Sequence, residues 1–213
     1  MKSSRRAHQQ CFEFRSWGGV RPGAGPKLQR SAPGVPHRPR TPLRPYHPVH
    51  VTLRVLEHVW NLRSQRSFVI VHRAVEAVRR RKDLRIVHFT ILGNHIHLIV
   101  EADGPRALAT GMRALSIRVA RGLNAMMGRN GPVYDDRYHA HVLTTPAVVR
   151  NAVGYVLGNF ASHARRRGER VREGIVDPFS SASAAGPREA QASLWPEAAT
   201  SGPSTWLLRM ASR

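Results

Sequence analysis

Gly93-Asn94-His95-Ile96-His97-Leu98-Ile99-Val100-Glu101 lies near the middle of the chain and sets two histidines at the head of an aliphatic run. Side chains alternate across a strand, so His95 and His97 emerge on one face while Ile96 points to the other. Gly93-Asn94 is a hairpin-type turn, and Arg85 to Leu92 ahead of it reads as a buried strand. The quoted residues are thus the second arm of a hairpin. Two imidazoles held side by side on a rigid element form a ready pair of metal ligands.

Working outward, His47 to Val55 alternates like a strand with one wet face. Ser67 to Arg81 reads as a helix with Val71, Val75 and Val78 on one stripe and Ser67 as N-cap. A long helix starts at Gly104-Pro105, with Leu108, Met112, Leu115, Val119 and Met126 on one side, and is broken by Gly128 to Pro132. Tyr138 to Thr144 is a further strand. Thr145-Pro146 opens another helix, running to about His163, whose stripe is Val149, Val153, Val156 and Phe160. The order is βαββαβ followed by an added helix. It predicts an α+β fold, a ferredoxin-like antiparallel sheet with helices on one face.

The chain has 213 residues, 41% of them hydrophobic, enough for one domain with tails. Lys and Arg number 34 against 13 Asp and Glu, a formal charge of +21. Such an excess points to a polyanion, nucleic acid first and an anionic membrane surface second. No apolar run is long enough to span a bilayer, so no membrane partner is expected. Cys11 is the single cysteine, which excludes an internal disulfide and a cysteine-based zinc site. The Arg-rich N-terminus lacks a signal-type apolar core, and a cytoplasmic, nucleoid-associated protein is expected. Composition divides the chain into a basic Pro/Gly/Arg-rich arm (1–45), a folded domain (46–173) and a low-complexity tail (174–213) whose Trp206-Leu207-Leu208 patch could dock back. Candidate phosphate contacts are Arg79, Arg80, Arg81, Arg106, Arg113, Arg137, Arg165, Arg166 and Arg167.

Tyr155 and Asn159 stand four residues apart on the last long helix and so share a face, beside its apolar stripe. A tyrosine hydroxyl serves as a covalent nucleophile where a cation offsets its weak ionisation. An amide oxygen is a hard ligand suited to Mg²⁺ or Mn²⁺. His95, His97, Asn159 and Tyr155 therefore make a coherent set, with the metal polarising a phosphate that Tyr155 attacks. Each piece has a plainer reading. His139-Ala140-His141 repeats the histidine spacing, a tyrosine there can simply edge the core, and Asn159 can begin a helix end. His95 and His97 are preferred because a tight turn and a longer apolar strand fix them.

The same stretches carry a family resemblance. Gly93 to Glu101, then Val133-Tyr134-Asp135-Asp136-Arg137-Tyr138-His139-Ala140-His141-Val142-Leu143, then Tyr155-Val156-Leu157-Gly158-Asn159 resemble the single-tyrosine transposases of the IS200-like group. This group lies in the HUH endonuclease superfamily, and the chain looks most similar to the branch of REP-associated tyrosine transposases. Gly18 to Lys27 and Asp177-Pro178-Phe179-Ser180-Ser181 also look like flanks of that branch. The resemblance implies a metal-dependent endonuclease and strand transferase on single-stranded or hairpin DNA, with a 5'-phosphotyrosine intermediate. It matches His95 and His97 to the metal pair, Tyr155 to the nucleophile and Asn159 to the polar ligand. Phe160-Ala161-Ser162 after that Asn and the Pro/Arg-rich arm depart from the pattern. The competing reading is a non-catalytic nucleic-acid-binding module, but such sheets display stacking aromatics where this one displays histidines. Monomer and homodimer both stay open.

Overall fold

The computed structural model describes residues 42–170, 176–184 and 201–211. Cys11, Gly18 to Lys27 and nearly all of the expected arm lie outside them. The elements are β1 (Val49–Arg54), α1 (Gln65–Arg79), β2 (Leu84–Ile91), β3 (His95–Ala102), α2 (Pro105–Met126), β4 (His139–Val142), α3 (Pro146–Arg166) and α4 (Trp206–Ala211), with a 3₁₀ turn at Ser181–Ala184. The sheet order is β2-β3-β1-β4, and every neighbouring pair is antiparallel. This is the ferredoxin-like βαββαβ order. The hairpin β2-β3 places β3 at the centre, and β1 inserts between β3 and β4.

Alternation decides what each face buries. Val49, Val51 and Leu53 of β1 with Ile96, Leu98 and Val100 of β3 face α1 and α2. Phe68, Val71, Val75 and Val78 of α1 and Leu108, Met112, Leu115, Val119 and Leu123 of α2 complete that core. At Gly111 an added Cβ would stand 2.4 Å from Leu84 Cδ1, so the missing side chain is what lets α2 lie so close to β2. The other face buries a smaller cluster, Ile99 with Val87, Leu143, Val149, Val156, Leu207 and Leu208.

Helices therefore cover both faces of the sheet, a correction to the expectation of one helical face. The physical reason is α3, whose apolar stripe needs its own partner and finds it in Ile99 and the Leu207-Leu208 pair. α1 begins earlier than its periodicity suggests. Ser64, with extended backbone, is the N-cap and accepts from Ser67 N at 3.3 Å, whereas Ser67 itself is buried inside the helix. Thr145 caps α3 by accepting from Val148 N, and Pro146 occupies the first turn, where its missing N–H costs nothing.

Two pieces of the C-terminal chain pack onto the domain. Ser180 and Ser181, expected in loose chain, are buried beside β2, where Ile91 N donates to Phe179 O at 2.9 Å and Phe89 N to Ser181 Oγ at 3.1 Å. The Glu101 carboxylate receives Ser204 N, Ser204 Oγ and Thr205 N ahead of α4. An anion at a helix start, fully hydrogen-bonded, explains how a glutamate is buried at 3% exposure.

Candidate active site

Strand register builds one half of the site. β1 and β3 pair Thr52 with His97, Arg54 with His95 and His50 with Ile99, which puts His50, Thr52, His95 and His97 on the face covered by α3. His97 is 6% exposed. Its Nδ1 stands 3.1 Å from Thr52 Oγ1 and 3.2 Å from His50 Nε2. His95 Nδ1 stands 2.6 Å from Asn94 Oδ1. Both imidazoles thus engage the protein through Nδ1, and their rings are parallel within 6° at 6.1 Å between centroids. Engagement at Nδ1 fixes ring orientation and leaves Nε2 for a ligand.

Helix α3 supplies the other half. The Tyr155 ring stands edge-on to His97 at 5.5 Å and to His50 at 5.8 Å between centroids, and its side chain is half exposed. One turn on, Asn159 is buried, and its Nδ2 has no hydrogen-bond partner. His163, a further turn along, is close enough for its charge to act on both His95 and His97. Tyr155, Asn159 and His163 form an i, i+4, i+8 stripe facing the strand histidines.

The electrostatics favour neutral imidazoles. Burial, then His50, His95 and His163, push His97 down to about 4. Burial, then Arg54 and His163, lower His95, and burial with His141 lowers His50. A neutral imidazole is the form that ligates a metal.

Two kinds of donor meet at this place. The parallel Nδ1-anchored imidazoles supply nitrogen, and turning the orphaned Asn159 amide over presents its oxygen where the unpartnered nitrogen stands. Among the described residues no group of three or more His, Cys, Asp or Glu is placed to hold a metal.

Other expected contacts are dispersed. His139 and His141 share the site face on β4, opposite Thr52 and His50, and are exposed. Arg79, Arg80 and Arg81 end α1, and Arg106 and Arg113 lie on α2, on the far side of the sheet. Arg137 precedes β4, while Arg165, Arg166 and Arg167 close α3. Arg81 is taken up by Asp83 and Arg167 by Glu169. From the sequence Asn94 was legible only as a turn residue, and Thr52 and His163 carried no assigned role. Thr52 was signalled by the wet-face alternation of β1, and His163 by its spacing from Tyr155.

Among the described residues no helix is long and apolar enough to cross a membrane. No protein-family model matches the chain, and no curated protein sequence matches it. Among solved structures, it is similar to a REP-associated tyrosine transposase bound to a REP hairpin. That likeness has a TM-score of 0.54 at 16% identity and covers 78% of this chain and 94% of the other. A candidate transposase from Deinococcus radiodurans R1 matches at a TM-score of 0.39 and 10% identity, over 65% of this chain and 99% of the other. The fold of this chain, a four-stranded antiparallel sheet with an added helix carrying Tyr155, is that of a REP-associated tyrosine transposase.

Proposed function

We propose that the protein is a metal-dependent endonuclease and strand transferase acting on single-stranded or hairpin DNA, with Tyr155 as the nucleophile. The observation that carries the reading is the half-exposed Tyr155 ring edge-on to His97 and His50, one helical turn from a buried, unpartnered amide. His95, His97 and Asn159 would hold Mg²⁺ or Mn²⁺, which supplies Lewis-acid polarisation of a phosphodiester. Tyr155 Oη attacks phosphorus, the bond to the neighbouring 3'-oxygen breaks, and that oxygen leaves with the proton as a 3'-hydroxyl. A 5'-phosphotyrosine remains and keeps the bond energy for rejoining. Helix α3 positions Tyr155, and the Nδ1 contacts of Thr52 and Asn94 hold the imidazoles in place.

The hairpin substrate is suggested by the structural neighbour, which is bound to a REP hairpin. The charge of +21 supports a DNA partner, and action in the cytoplasm at the nucleoid follows from that partner. The binding-module reading is disfavoured because α3 covers the histidine face, where a stacking platform would have to be open. Incubation with a labelled hairpin bearing single-stranded flanks and Mn²⁺ should give a covalent adduct. Tyr155→Phe should abolish it, and an adduct surviving that change would overturn the assignment.

A further inference from the structure

We propose that Arg54 is the phosphate clamp of this site, binding the non-bridging oxygens of the phosphodiester that Tyr155 attacks. The proposal rests on the strand-nicking reading above. Arg54 is the last residue of β1 and stands directly opposite His95 in the β1-β3 register, on the histidine face. Its backbone is fixed from two sides, since Arg54 O accepts from Asp135 N at 3.2 Å and the next amide, Val55 N, donates to Asn94 O at 3.0 Å. The side chain is exposed and makes no hydrogen bond or ion pair among the described residues. Arg63, Arg81 and Arg167, by contrast, are each occupied by a carboxylate.

The charge balance says what the guanidinium is for. The Cα of Arg54 pairs with that of His95 across the β1-β3 ladder, at the end of the sheet where the histidines lie. Glu101, on the same face of β3, is spent on Ser204 and Thr205 at the other end of the strand. A cation beside a divalent-metal site is repelled unless an anion lies between the two. A phosphodiester shared by the metal and the guanidinium satisfies both, and the planar fork of arginine matches two phosphate oxygens.

The test uses the full chain with a labelled single-stranded hairpin and Mn²⁺, comparing Arg54→Gln, Arg54→Lys and Arg118→Gln. The last removes the same charge from α2, on the other side of the sheet. Arg54→Gln should slow single-turnover nicking by about 100-fold, the usual effect of losing one charge-stabilising donor. Its thermal midpoint should stay at the wild-type value, its Mn²⁺ affinity without DNA should not fall, and Arg54→Lys should recover part of the rate. The slope of log affinity against log salt should shrink by about 0.7, one single-strand phosphate contact. Nicking by Arg54→Gln as fast as by Arg118→Gln would overturn the clamp. If the wild type binds but never nicks, the strand-nicking reading falls, and an unchanged salt slope in Arg54→Gln then overturns the clamp separately.

Discussion

Asn159 is 1% exposed, with an amide nitrogen that meets no acceptor. A buried donor left unpaired costs about 1–3 kcal/mol, so this residue is a burden on the fold. Asn159→Leu keeps the bulk and removes the orphan. The metal-free variant should be more stable by about 1 kcal/mol in urea unfolding, while Mn²⁺-dependent nicking should be lost. A less stable variant would mean that the amide serves packing instead. His97 gives a second expectation at this scale. Its folded value, about 4, lies below the 6.5 of a free imidazole. Between those values the unfolded chain binds the extra proton, so stability rises with pH across the window and falls as pH drops through it. The thermal midpoint of the metal-free protein should therefore decline from about pH 6.5 toward about pH 4, and His97→Gln should remove part of the decline. A flat profile would contradict the buried neutral imidazole.

At the scale of elements, a C-terminal strap (residues 176–184) and helix α3 meet at one side chain. Arg63 donates to both oxygens of Asp177 at 2.9 and 2.8 Å and to Ile91 O at 2.9 Å. Its guanidinium lies 4.3 Å from the Phe160 ring of α3 and 4.2 Å from the Phe179 ring of the strap. Arg63→Ala leaves a carboxylate at 2% exposure without its counter-charge, and should cost about 3 kcal/mol by denaturant unfolding. A loss below about 1 kcal/mol, the range of surface pairs, would show that the strap is held by other contacts. This junction also marks what the sequence reveals and what it hides. Helices and strands were legible because Val71, Val75 and Val78, or His95 and His97, repeat within one element. Arg63 and Asp177 are separated by 114 positions, and His50 and His97 by 47. No local period reports pairings of that kind; strand register and tertiary docking create them. Ser64 was passed over as cap because Ser67 fits the same rule, and only the extended backbone at Ser64 separates them. Tyr155 and Asn159 were legible as a pair from their spacing, but the depth of Asn159 was not, since it lies at the edge of the apolar stripe.

On the whole molecule the dominant quantity is charge. With 34 Lys and Arg against 13 Asp and Glu, DNA affinity should fall steeply as salt rises, by about 0.7 log units per log unit of salt for each single-strand phosphate contacted. Binding that barely changes between low and high salt would contradict a basic contact surface. Arg106 and Arg113 lie across the sheet from the histidines, so replacing them should weaken binding and leave the single-turnover rate at saturation unchanged. The two faces of the sheet differ in what they bury. One face of the sheet is filled by α1 and α2 and holds the fold together, while the other, under α3, is free to carry polar chemistry. The most direct test is to trap the protein on a hairpin oligonucleotide with Mn²⁺, digest with trypsin and nuclease, and sequence the modified peptide by mass spectrometry. Residues 151–165, released by cleavage after Arg150 and Arg165, contain Tyr155 as their single tyrosine. That peptide should carry the mass of a nucleotide 5'-phosphate on Tyr155, whereas a nucleotide on any other residue, or cleavage with no adduct at all, would contradict the account.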